Sequence, residues 1–178
     1  MSNTNHSIFT GLKIVAWVIF IGLCFEAGSL VLNFIFSLTK PEDLHRLYHD
    51  LDLTELLDES RWGFFSIYSF ILSIAIVKAY LFYLVTQLMQ NINLSNPFNR
   101  TVSKQISQIS YYTLSVGLLS YLGRYSHRSM IKRGFDLPEV NQYWSDSQAF
   151  VIMASVVYVI SVIFSKGVEF QEEVQETV

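Results

Sequence analysis

Two histidines and two charges set inside apolar runs are the residues of this chain with the most chemistry in them. His45 and His49 stand one helical turn apart, and Glu42 and Asp52 fall on the same face. Two imidazoles at that spacing can share a zinc ion, with a carboxylate as third ligand. The residues between them are Arg46, Leu47 and Tyr48, so the glutamate base of an HExxH metalloprotease is missing. A solvated polar helix face explains the same pattern. The sequence therefore predicts no metal and no cofactor, with His45 and His49 as the only weak candidates. His6 sits in the N-terminal tail and His127 in a basic stretch, neither with a partner that the sequence identifies.

Glu26 is the one charge between Ile14 and Thr39, and Lys78 the one charge between Trp62 and Asn99. A charge near the middle of a membrane helix costs roughly 2.5–3.5 kcal/mol on insertion scales and needs a reason. Antiparallel neighbours would place the two at similar depth, and a lysine reaches across helices packed about 8–10 Å apart. Glu26 shares a face with Gly22, Ser29 and Asn33, which predicts that it points into a bundle. Lys78 lies nearly opposite the stripe Ser66, Ser69, Ser73 and Tyr80, about 15 Å from the end of its run. That is farther than its side chain snorkels. An intramembrane Glu26–Lys78 pair is the expectation, as a structural clip or a protonatable gate; independent placement is the alternative.

Catalytic groups are scarce. The apolar runs hold no histidine or aspartate, and no Ser–His or Ser–Lys arrangement stands at helical spacing. No glycine-rich phosphate loop is present. Cys24 is the single cysteine, which removes any internal disulfide and any CxxC zinc or redox site. The expectation is a protein that is not an enzyme.

The elements that must position these residues follow from composition. The chain has 178 residues, the size of one domain, is 51% hydrophobic and only 15% charged, and carries a net charge of −3. An average soluble domain is roughly 25% charged. The mean hydropathy is +0.34. These values argue against a disordered chain, a coiled coil and a direct nucleic-acid binder. Gln105–Gly123 and Ser147–Ser165 are each 19 residues without a charge. A membrane helix needs about 20 mostly apolar residues. The sequence thus predicts an all-α integral membrane bundle, one domain over 1–178, with spans at about 14–36, 64–88, 107–123 and 147–165. The third is the most polar, with Gln108, Ser110, Thr113, Ser115 and Ser120. Runs such as Ile14–Leu23 do not alternate as barrel strands do. The apolar stretch continues well past any cleavage site near Ala27, so the first span reads as uncleaved.

The connections carry the polar features. Residues 37–63 hold seven acids and three bases. Thr39, Pro41, Glu42 and Asp43 suit a helix start, and Leu44, Leu47, Tyr48 and Leu51 form an apolar stripe. That predicts a short amphipathic helix in the first connection. In the second, Asn96 before Pro97 reads as a cap followed by a first-turn proline, with Phe98, Val102 and Ile106 on one face. In the third, Arg124, Arg128 and Lys132 share a face. They read either as a lipid-headgroup surface or, preferably, as a solvated continuation of the helix. Tyr121, Tyr125, Tyr143 and Trp144 read as interfacial anchors. The tail from Lys166 carries Glu169, Glu172, Glu173 and Glu176 and reads as a solvated end or a docking segment.

Two segments, Asn96-Pro97-Phe98 and the run containing Phe164, Gly167, Val168, Glu169, Gln171, Glu172 and Glu173, resemble the bacterial membrane family catalogued as domain of unknown function 2975. Length and four-span layout are similar too. The chain departs from that pattern in closing on Glu176-Thr177-Val178 and in being less basic between its second and third spans. The resemblance implies a plasma-membrane protein with both termini in the cytoplasm. Counting basic residues opposes that orientation, with 4 on the inside and 7 on the outside. The family has no assigned reaction, and its members are often encoded beside small helix-turn-helix regulators. The expected function is regulatory or scaffolding, with segments 89–106 and 166–178 holding a soluble cytoplasmic partner. A small transporter or channel subunit using Glu26 and Lys78 is the alternative, and a channel built of so few helices would require a homo-oligomer. Membrane lipid is the other expected partner.

Overall fold

A computed structural model describes residues 3–39, 51, 53–92, 98–135 and 137–176. Every element among them is helical: α1 (Asn3–Thr39), α2 (Thr54–Glu59), α3 (Arg61–Asn91), α4 (Arg100–Ile131), a 3-10 turn (Pro138–Tyr143) and α5 (Ser147–Glu176). The segments Ser7–Thr39, Arg61–Asn91 and Pro138–Val174 are long and apolar enough to cross a membrane. α4 is as long, at 32 residues, but its polar composition leaves it outside that set.

Local chemistry sets the helix ends. The Ser60 hydroxyl accepts from Gly63 N–H at 3.2 Å and caps α3. α4 is capped by Asn99, whose side-chain oxygen accepts from Val102 N–H at 2.8 Å. It ends where Gly134 takes a φ of 101°, the left-handed conformation that closes a helix. Gly134 N–H then donates to Ile131 C=O at 3.0 Å and Phe135 N–H to Met130 C=O at 3.2 Å. The amphipathic helix expected from Pro41 lies outside the described residues apart from Leu51, which is buried. The described helix of that connection is α2.

The long helices pack antiparallel, each mainly on the next along the chain: α1 on α3, α3 on α4, α4 on α5. α1 meets α3 along Ala16, Phe20, Leu23, Ala27, Leu30, Phe34 and Ser37, all buried or half-buried. Steps of four and three keep one seam facing a partner helix. Phe34 packs against Phe64 and Tyr68, and Phe20 against Tyr83, which fixes the antiparallel register. Tyr80 on Tyr112 and Ser66 on Ser126 do the same for α3 and α4.

The core is lopsided. Leu30, Leu51, Leu53, Leu56, Phe64, Ile67, Ile71, Val140 and Trp144 belong to one large cluster at the end where α2 and the 3-10 turn cover the helices. Toward the other end the buried cluster shrinks to Leu81, Leu84 and Ile109. Trp144 is 1% exposed, so it is a core residue and not the interfacial anchor expected of it. Its carbonyl and that of Ser145 accept from Arg124, which folds back instead of reaching solvent with Arg128.

α4 buries polar side chains among its apolar ones and turns leucines outward. Gln105, Ser110, Thr113 and Ser120 are buried, while Leu114, Leu118 and Leu122 face outward. Ser110 donates to Ala154 C=O on α5 at 3.0 Å, and Thr113 to the Ile109 carbonyl one turn back at 2.7 Å. α1 shows the matching outer surface, with Ile14, Val18, Phe25 and Leu32 exposed.

Candidate functional site

The expected residues separate into three groups. His45, His49, Glu42 and Asp52 lie outside the described residues. Among the described residues no three of histidine, cysteine, aspartate and glutamate gather as metal ligands.

Glu26 and Lys78 form the second group, and no ion pair joins them. Glu26 is exposed, although Leu30 and Asn33 farther along its face are buried. Their burial depends on Leu51 and the large cluster, and Asn33 Nδ2 donates to Leu51 C=O at 3.4 Å. Glu26 itself is exposed, so the expectation that it points into the bundle is corrected. Lys78 is half-buried, with Nζ over the Phe150 ring of α5 at 5.5 Å from the centroid. An ammonium on an aromatic face exchanges some lost hydration for the ring quadrupole.

The third group comprises the two motif segments, and the structure brings them together. Asn96 and Pro97 lie outside the described residues. The helix they were expected to start begins at Arg100, so the cap is Asn99 and not Asn96. Phe98, ahead of that cap, lies on α5: its ring stacks on Phe164 at 5.2 Å between centroids. It also occupies the notch left by Gly167, where a Cβ would stand 2.5 Å from Phe98 Cδ1. Val102 and Ile106, expected on one face, are both buried.

Two residues on, Arg100 reaches Glu172 with a paired contact, Nε to Oε1 at 2.6 Å and Nη2 to Oε2 at 2.8 Å. The hydrogen bond from Arg100, reinforced by its charge, holds the Glu172 carboxyl below the usual carboxylate range. The same bond raises the Arg100 guanidinium. Both residues lie beyond the uncharged runs and are exposed to solvent, so the pair fixes geometry more than it stabilises. Glu169 is taken by Lys166 at 2.6 Å. Gln171 is half-buried beside them.

Below this junction a groove of about 530 Å³ runs between α4 and α5. Arg100, Lys104, Glu169 and Glu172 line its outer part, and Ser107, Tyr111, Tyr158 and Ser161 its inner part.

Sequence reading missed Asn99 and the Arg100–Glu172 partnership. Asparagine three residues before the periodic Val102, Ile106, Ile109 was the available signal for the cap. Opposite charges just outside consecutive spans were the signal for the pair. His127 was missed as well: it is buried, with its ring on Trp144 at 6.1 Å, and belongs to the core.

Long helices that are apolar outward and bond their hydroxyls inward mark a membrane protein. The chain matches the family described as "Protein of unknown function (DUF2975)" over residues 46–178, and it belongs to that family. The whole of α1 precedes the matched region. No curated protein and no solved structure matches the chain.

Proposed function

We propose that the protein is a non-enzymatic membrane scaffold of four spans, in the plasma membrane with both termini in the cytoplasm. Its task is to hold a soluble regulatory partner, such as a small helix-turn-helix regulator, at the end formed by residues 98–104 and 165–174. The observation that carries this reading is the joining of the two motif segments. Phe98 in the Gly167 notch and Arg100 on Glu172 tie the start of α4 to the end of α5, making one ledge from two distant stretches of sequence. An exposed aromatic and an exposed ion pair fixed in place at the thinly packed end of a bundle suit recognition.

The outward leucines of α4 support the fourth span. Composition averages around a helix, whereas lipid meets one face of it, and that face carries Leu114, Leu118 and Leu122. The transport alternative rests on a Glu26–Lys78 pair, and the chain does not form one.

Affinity purification of the full chain from native membranes tests the reading. A soluble regulator is expected with the wild type, lost with Arg100→Glu or Glu172→Arg, and recovered when both are present. Equal recovery with either single variant would overturn the assignment of the ledge. Four spans with both ends inside predict that cysteines placed at Ser2 and Thr177, in a Cys24→Ser background, are protected from an impermeant thiol reagent in intact cells.

A further inference from the structure

We infer that the groove between α4 and α5 is a binding site for a glycerophospholipid, with Lys104 and the groove serines receiving the phosphodiester. The inference rests on the four-span reading above, since it needs α4 in the membrane, but not on the identity of the soluble partner.

The groove stands at the level where a lipid headgroup lies. Its lining crosses the boundary between the charged helix ends and the uncharged runs. Arg100, Ser103 and Lys104 lie on the outer side, Ser107 and Tyr111 on the inner. On α5 the same boundary falls between Ser165 and Val168, with Ser161 and Tyr158 farther in. From Lys104 to Tyr111 the groove descends about 10 Å along the helix. The polar zone of each leaflet is roughly 5–7 Å deep. The groove therefore starts among headgroups and ends among the first acyl carbons.

Its charges leave one cation to spare. Arg100 is held by Glu172 and Glu169 by Lys166. Lys104 is exposed, and among the described residues no carboxylate pairs with it. The hydroxyls tell the same story. Elsewhere on these two helices Ser110, Thr113, Ser115 and Ser155 each donate to a backbone carbonyl, while the buried Ser147 hydroxyl at the start of α5 has no partner. The groove serines, Ser103, Ser107, Ser161 and Ser165, make no such bond among the described residues. Ser161 is the telling one: the residue is 6% exposed and lines the groove, and its hydroxyl, which bonds to no protein group, is not sealed in the interior but opens on the groove. A hydroxyl that opens on the groove and holds no protein acceptor is free to donate to one that enters. One ammonium plus several hydroxyl donors suits a singly charged phosphodiester with its ester oxygens. Tyr111, Tyr158 and Val162, all largely exposed, give the glycerol and first methylenes a surface to lie on.

The test is native mass spectrometry of the purified full chain in detergent, titrated with phosphatidylglycerol. One tightly held lipid is expected. Lys104→Ala weakens it about fivefold, the weight of one basic residue at an anionic surface. Ser161→Ala weakens it again by a similar factor. Arg128→Ala, at the far end of α4, leaves it unchanged. Unfolding midpoints of the variants in lipid-free detergent separate lost binding from lost folding. Diacylglycerol, which lacks the phosphate, is expected not to bind. Binding of diacylglycerol, or phosphatidylglycerol binding indifferent to Lys104 and Ser161, would reduce the bound lipid to nonspecific coating and overturn the site. Displacement of phosphatidylglycerol by inorganic phosphate would make this a site for the free ion and overturn the lipid assignment.

Discussion

The ring of Phe98 stands where a side chain at position 167 would have to go. A Cβ there would lie 2.5 Å from Phe98 Cδ1 and 2.6 Å from Cε1. Two opposed effects decide Gly167→Ala. Alanine improves the helix by about 1 kcal/mol over glycine. Overpacking a close contact costs about 1–3 kcal/mol. The clash dominates while Phe98 is present, so Gly167→Ala should lower the unfolding midpoint in detergent. In a Phe98→Ala background the obstacle is gone, and the same change should raise it. If Gly167→Ala acts identically in both backgrounds, the notch does not seat Phe98.

Gly123 has the same geometry against a neighbour that has nowhere to move. A Cβ there would lie 2.7 Å from two ring carbons of Trp144, which is 1% exposed. Phe98 is 38% exposed and can swing aside, whereas Trp144 is enclosed by the large cluster. Gly123→Ala should therefore cost more than Gly167→Ala, toward the upper end of about 1–3 kcal/mol. Thermal unfolding of the two variants side by side checks the order. A milder Gly123→Ala would show that the Trp144 region yields.

Capping separates two asparagines that sequence pattern alone confuses. Asn99→Ala removes the acceptor for Val102 N–H and should cost about 1 kcal/mol. Asn96→Ala, outside α4, should leave the midpoint where it is. The reverse order would return the cap to Asn96.

The pH dependence of the Arg100–Glu172 pair has a definite sign. Glu172 has its folded pKa lowered by the Arg100 hydrogen bond. Its contribution is therefore fully present above the unfolded glutamate value of about 4.3 and fades as pH falls through the lower folded value. Arg100 is shifted upward, so it stays charged throughout this range. The difference in midpoint between wild type and Glu172→Gln should be small and constant near neutral pH and vanish in acid. A difference that grows on acidification would contradict the lowered pKa.

The helical class and the apolar runs were legible because they rest on composition and length alone. The limits of the runs at Ser147 and near Gly123 follow from where charges resume. Three features were not legible, for one shared reason: each depends on which helix is next to which. Trp144 reads as an anchor by residue type, yet Gly123 on the neighbouring helix makes room for its ring. Phe98 and Gly167 read as separate motifs, and only the antiparallel pairing of α4 with α5 makes them one site. Glu26 shares a helical face with Leu30 and Asn33, yet those two are buried, Asn33 against Leu51, while Glu26 is exposed. Helical periodicity assigns a face but not the extent of the neighbour that covers it.

Glu26 and Lys78 provide the last test, since their arrangement bears on both stability and the transport alternative. Antiparallel packing of α1 on α3 does bring them to similar depth: Phe20 meets Tyr83 on one side of that level and Phe34 meets Phe64 on the other. Depth alone does not join them. Lys78 turns to Phe150 on α5, while Glu26 is exposed on α1. Two charges that do not touch should act independently. Glu26→Gln and Lys78→Met each remove a lone charge from the apolar layer, a burden of roughly 2.5–3.5 kcal/mol on insertion scales. Their effects on stability in a bilayer mimetic should add to within about 0.5 kcal/mol. Phe150→Leu loosens the packing of both clusters in either background, and should cost more while Lys78 is present than in Lys78→Met, because it also removes the ring face. A coupling of more than about 1 kcal/mol between Glu26→Gln and Lys78→Met would mean that Lys78 swings from Phe150 to Glu26 within the membrane, and the pair would return as a clip or a gate.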